Sequence, residues 1–199
     1  MPRTSTSGSS PNWDRLFEVA SAQAGYVTNG QAHEAGYSLP LLQFYVQKGR
    51  LERVQRGILR LVHYPPGEHE DLVPLWLWSE QQGVFSHETA LMLHDLSDAL
   101  PGKRHMTVPA SWVKRRLRLP RGVVLHFADL PRTATTWLGP VPLTTPMRTV
   151  ADCAAAEVAE DLVQQAVQQG VRRKLFSRAE VKGAINQARR ERDAAADVR

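Results

Sequence analysis

At 199 residues the chain is long enough to bury a real core and longer than one small DNA-binding module, so two modest domains are expected. Lys and Arg number 25 against 20 Asp and Glu, and the formal net charge of +5 favours polyanionic partners such as nucleic acid. The single cysteine, Cys153, excludes an intramolecular disulfide and a CxxC-type site and suits a reducing, cytoplasmic setting, while no apolar run approaches the roughly 20 residues of a membrane span.

Residues 1–11 are rich in Ser, Thr and Gly, lack the apolar stretch of a secretory signal, and read as a flexible leader. Trp13, Leu16, Phe17, Ala20 and Ala24 then recur at helical spacing, and Gly25 ends that first helix. Thr28-Asn29-Gly30-Gln31 has the form of a capping box for a second helix over 29–35. Ser38 caps a third helix running to Gln47, with Leu42, Tyr45 and Val46 towards the core and Pro40, Gln43, Phe44 and Gln47 facing outward. Two strands over 51–55 and 58–62, joined at Arg56-Gly57, complete a hairpin wing. Pro65-Pro66-Gly67 marks the domain boundary.

The second part begins with a Trp- and Leu-rich helix over 71–82 and another from Ser86 to about Leu96. Strands follow at 105–108, 113–119 and 123–128, which implies an antiparallel sheet. Thr145-Pro146 opens a helix through Ala154, a further helix runs from Val158 and stops at Gly170, and Ser177-Arg178-Ala179-Glu180 caps a last, charged helix that frays beyond Arg192. The fold class is therefore α+β, with a winged helix-turn-helix over 12–64 followed by a mixed α/β domain over 68–199 that carries an antiparallel sheet and C-terminal helices.

The third helix of a helix-turn-helix lies in the major groove, where Gln43, Gln47 and Ser38 occupy the reading surface and Lys48 and Arg50 reach phosphate or guanine. The three helices alone suit an ordinary solvated subdomain equally well. The wing, with Arg53, Arg56 and Arg60 beside an Arg-Gly tip, tilts the reading to DNA. Lys114, Arg116 and Arg118 form a second basic stripe, which a charged strand edge explains as readily as a nucleic-acid contact.

Enzymatic readings fail at specific residues. His87-Glu88 begins like HExxH, but Leu91 replaces the second histidine, so His94 and Asp95 are packing or surface groups. Glu180-Val181-Lys182, with Asp161 upstream, resembles a nuclease ExK element but falls in the first turn of a capped helix. Phosphate-loop and nucleophile-elbow motifs are missing from the sequence, Cys153 reads as a small buried hydrophobe, and neither metal nor cofactor is expected.

Three ordered segments carry a resemblance: 49–58 in the wing (GRLERVQRGI), 86–96 (SHETALMLHDL) and 141–152 (VPLTTPMRTVAD). The sequence resembles the AbiEi-type antitoxin and transcriptional regulator family of type IV toxin-antitoxin systems. That resemblance implies a non-enzymatic protein that represses its own operon at inverted promoter repeats and counteracts a co-encoded nucleotidyltransferase-like toxin. Contact with the toxin is one alternative route to neutralisation, and a generic winged-helix regulator is another reading. Its implied DNA-facing residues are Gln43, Gln47, Lys48, Arg50, Arg53 and Arg56; the matching positions of the antitoxin domain are Ser86, His87, Thr145, Pro146, Arg148 and Asp152.

Overall fold

The computed structural model describes residues 10–196, so residues 1–9 of the expected leader lie outside the described residues. The chain forms two compact units that divide between Gln81 and Gln82. Helices combine with a three-stranded and a five-stranded sheet in an α+β architecture.

In the first unit Asn12 caps helix α1 (Trp13–Ser21), its side chain accepting from the Arg15 N–H at 2.9 Å. Strand β1 (Tyr26–Thr28) leads into α2 (Asn29–Glu34), where both arms of the Thr28–Gln31 capping box are formed. Ser38 caps α3 (Leu39–Gln47), and β2 (Leu51–Gln55) and β3 (Ile58–Leu61) make the wing. Strand order is β1-β3-β2, antiparallel throughout. At three residues, β1 is too short to show alternation, and only pairing with β3 makes it a strand. Leu16, Ala20, Val27, Ala32, Leu42 and Leu59 meet in the core.

Gly25 sits at φ +90°, and a Cβ there would lie 2.7 Å from the Tyr64 ring, so both backbone and packing demand glycine.

The segment after Pro65-Pro66 belongs to this unit and not to the second domain. A 3-10 turn (Glu70–Leu72) and a short helix α4 (Val73–Trp78) bury Val73, Trp76 and Leu77. Gln55 donates to the Pro74 carbonyl at 3.2 Å, and the Gln81 amide donates to the buried Gln23 at 2.7 Å. Proline punctuation marks a turn in the backbone, whereas apolar burial decides which core a segment joins; hence the division at 81/82. The predicted helix over 71–82 is correspondingly shorter.

The second unit is built on β4 (Val84–Phe85), β5 (Arg104–Val108), β6 (Val123–Phe127), β7 (Thr135–Leu138) and β8 (Val141–Thr144), in the order β6-β5-β4-β8-β7. The sheet is mixed, not purely antiparallel: β4/β5 and β7/β8 run antiparallel, β5/β6 and β4/β8 parallel. A parallel β5–β6 pair needs a crossover connection. Residues 109–122 provide it, so no strand forms over 113–119; a 3-10 turn (Ala110–Lys114) instead buries Trp112, and Arg115 stacks on that indole at 4.0 Å. Lys114, Arg116 and Arg118 are exposed on this connection rather than aligned along a strand edge.

Helices α5 (His87–Leu93), α6 (Pro146–Ala155), α7 (Glu160–Arg172) and α8 (Arg178–Ala196) complete the unit. Leu91, Val150, Cys153, Ala166, Phe176 and Val181 form their shared core. Cys153 is fully buried, and burial pushes its thiol pKa up. Helix α7 runs through Gly170 instead of stopping there: the missing side chain admits Phe176, whose ring carbon would lie 2.0 Å from an added Cβ. The Ser177–Glu180 capping box is formed, and α8 extends past Arg192 to Ala196.

Candidate nucleic-acid interface and a polar cavity in the second unit

The outward face of α3 consists of Pro40, Gln43, Phe44 and Gln47, with Leu39 beside them; all are exposed and none is charged. Leu39 is 65% exposed and Phe44 49%, a large apolar content for a solvent face. Arg53 on β2 donates to the Gln43 side chain at 3.3 Å and so ties wing to helix. A cleft lined by Asn29, Pro40, Gln43, Arg53, Arg56 and Gly57 runs between them.

The other predicted DNA residues divide. Lys48 lies 5.5 Å from the Phe44 ring at the C-terminal end of the face. The Ser38 hydroxyl is exposed and accepts from the Leu41 N–H at 3.4 Å as a cap. Arg50 is held 5.8 Å from both the Trp13 and Tyr45 rings and lines a separate concavity with Phe17 and Tyr64, away from the wing cleft. Arg60 is not a wing contact at all. Its side chain is 12% exposed and reaches Glu70 at 3.1 Å, Glu52 at 3.5 Å and the Tyr64 carbonyl at 3.1 Å, fastening β3 to the segment that follows.

Four of the six predicted positions in the second unit gather around one cavity of about 790 Å³, bounded by β5, β6, the loop after β6, α6 and α8. His87, Arg148 and Asp152 line it, and Ser86 lies directly behind His87. Thr145 and Pro146 stand outside it as the start of α6. Ser86 and Thr145 occupy N-cap positions, yet neither side chain makes a cap hydrogen bond. The Ser86 oxygen is taken instead by Thr107, which donates at 2.8 Å, and it lies 2.9 Å from His87 Nδ1.

Two further histidines join them. His126 stacks on His87 with ring centroids 3.5 Å apart, His105 Nδ1 lies 3.1 Å from His126 Nε2, and His105 Nε2 lies 3.3 Å from the Glu88 carboxylate. Burial, reinforced by each imidazole on its neighbours, lowers the pKa of His87 to about 2 and of His126 to about 4; burial also lowers that of His105 despite Glu88. All three are neutral at pH 7. Arg148 donates to Asp152 at 2.8 Å and reaches Glu191 at 3.3 Å, but burial outweighs this pairing and pushes the Asp152 pKa up to about 6. His94, by contrast, bonds the Thr144 carbonyl at 2.7 Å and serves packing between α5 and β8.

Residues 14–62 match the family model described as transcriptional regulator, AbiEi antitoxin. The matched segment spans helix-turn-helix and wing from α1 to the end of β3, and it contains every predicted DNA-facing residue. No curated protein matches the chain in sequence. Among solved structures, the RV2827C protein from Mycobacterium tuberculosis is similar in fold, with a TM-score of 0.50 at 17% identity, covering 92% of this chain and 74% of that one. Among the described residues no helix is long and apolar enough to cross a membrane, and no group of three or more His, Cys, Asp or Glu side chains is placed to hold a metal ion.

Sequence reasoning missed His105 and His126 because each sits singly on an ordinary-looking strand. The parallel register, which sets Thr107 opposite His126, brings them to His87. His87 itself has φ +51°, a left-handed conformation that costs a non-glycine residue about 1–2 kcal/mol and that several other described residues share.

Proposed function

We propose that this protein is a cytoplasmic, DNA-binding autorepressor and antitoxin that acts at inverted repeats in its own promoter and counteracts a nucleotidyltransferase-like toxin. The observation that carries the reading is the coupling of an exposed, uncharged α3 face to an arginine-bearing wing within the segment that matches the AbiEi family model. Amide and apolar side chains on α3 suit base edges in the major groove, where Gln pairs bidentately with adenine. Arg53 and Arg56 suit phosphates or the adjacent minor groove. Lys48 adds a cation at the end of the helix, while Arg50 supports α3 from behind by stacking on Trp13 and Tyr45. An inverted repeat offers two half-sites, so two copies of the module bind together.

Fluorescence anisotropy with the chain's own upstream DNA tests this reading. Specific binding that weakens steeply with salt is expected. Equal affinity for promoter and unrelated DNA at every salt concentration would remove the operator from the account. Co-expression with the product of the neighbouring gene tests the antitoxin half, and growth arrest that the chain fails to relieve counts against it.

A further inference from the structure

The cavity of the second unit has a floor whose hydrogen-bonding polarity can be worked out atom by atom. Thr107 donates to Ser86, so the Ser86 hydroxyl is free to donate in turn, and His87 Nδ1 is its neighbour at 2.9 Å. A neutral His87 that accepts at Nδ1 carries its proton on Nε2. At the other end, the Glu88 carboxylate lies 3.3 Å from His105 Nε2, and its negative charge favours the ring proton on that nitrogen, leaving Nδ1 as the acceptor. His126 Nε2 therefore donates to His105, and the neutral His126 ring keeps an acceptor at Nδ1. Two stacked imidazoles thus bring to one cavity a donor at His87 Nε2 and an acceptor at His126 Nδ1.

The surroundings narrow the ligand. Leu125, Phe127, Pro131 and Ala188 supply apolar wall, and a cavity of about 790 Å³ lies in the range that encloses small organic molecules. The cations at the rim are already committed: Arg148 to Asp152 and Glu191, Arg192 to Glu157 at 3.0 Å and Asp193 at 3.1 Å. No surplus positive charge awaits a phosphate or carboxylate.

We propose that this cavity binds an uncharged nucleobase or nucleoside, whose edge presents an acceptor to His87 Nε2–H and a neighbouring donor to His126 Nδ1. A neutral donor–acceptor pair recognises such an edge without the desolvation cost of an ion. Planar bases also suit apolar walls that would exclude a hydrated charge.

Calorimetric titration of the full chain with adenosine, cytidine, guanosine and uridine tests the proposal directly. At least one should bind saturably, and its analogue methylated on the edge nitrogen, such as 3-methyluridine or N6,N6-dimethyladenosine, should bind ~tenfold or more weakly because a donor is lost and a buried acceptor stays unpaired. The corresponding 5′-monophosphate should bind no better than the nucleoside. Replacement His126→Phe keeps an aromatic ring in the stack and deletes the acceptor; it should abolish binding while the circular-dichroism melt persists. Should that variant fail to fold, the methylated analogue on the unaltered protein still decides. Binding of none of the four nucleosides, equal affinity for the methylated analogue, or binding of nucleotides alone would each overturn the proposal.

Discussion

The α3–wing face and the second-unit cavity handle polarity in opposite ways. On the first, amides, apolar groups and arginines stand in solvent. In the second, four titratable groups are buried so deeply that three histidines lose their charge and one aspartate is held near the edge of losing it. An exposed cation costs little to maintain and attracts a polyanion over a Debye length, while a neutral imidazole in a cavity attracts nothing at range and discriminates only at contact. On the functions proposed above, long-range attraction and short-range discrimination fall to different units.

Three measurements would break or sharpen that contrast. The largest effect is expected from acid. The His87 and His126 pKa values are depressed in the folded protein, so the stability they contribute is complete above pH 6.5 and is lost as pH falls through their folded values of about 2 and about 4. Asp152 acts in the opposite sense, its raised pKa contributing stability below about 3.8 that is lost as pH rises through about 6. Two histidines outweigh one aspartate, and between pH 6.5 and 4 the second unit should lose on the order of 2 kcal/mol. Urea unfolding across that range checks the sign, and a midpoint that rises on acidification would mean the imidazoles are charged when folded.

Next comes the wing. Replacing Arg53 and Arg56 together by Ala should weaken promoter binding by ~tenfold or more and flatten the dependence of log affinity on log salt by roughly two, one for each phosphate contact removed. An unaltered slope would leave the wing without a role in DNA binding. The same change should leave nucleoside binding untouched, because neither arginine lies in the second unit.

The smallest effect tests the apolar part of the α3 face. If Leu39 and Phe44 pack on thymine methyl groups, substituting deoxyuridine for one contacted thymine should cost about 0.8 kcal/mol, the worth of one buried methyl(ene). Anisotropy with a series of singly substituted operators would locate the contacts, and a series without any change would assign those side chains to protein contact instead.

Local chemistry made the helix starts of both units legible. Thr28 with Gln31, Ser38 before α3, and Ser177 with Glu180 each announce a helix start through groups three residues apart, and all three are realised. The outward spacing of Pro40, Gln43, Phe44 and Gln47 needed only the helical period. Charge type was a poorer guide than position. Arg53 and Arg60 look alike on a hairpin, yet one is exposed beside Gln43 and the other is enclosed by Glu52 and Glu70, a difference made by a segment ten residues further along.

In the second unit the alternation of 113–119 imitates a strand, but the parallel pairing of β5 with β6 needs that stretch as a connection, and burial of Trp112 holds it there. Strand pairing is decided by partners distant in sequence, which local pattern does not encode.

The sequence by itself determined that a winged helix-turn-helix stands at the N-terminal end, that its third helix offers an uncharged outward face, and that the chain is α+β, because capping and periodicity act within a few residues. Only the tertiary structure decided that residues 68–81 pack with the first unit, that Arg60 is a buried fastening, and that His87, His105 and His126 share one network. These depend on which surfaces meet once apolar area is buried, and that choice is made by the whole chain at once.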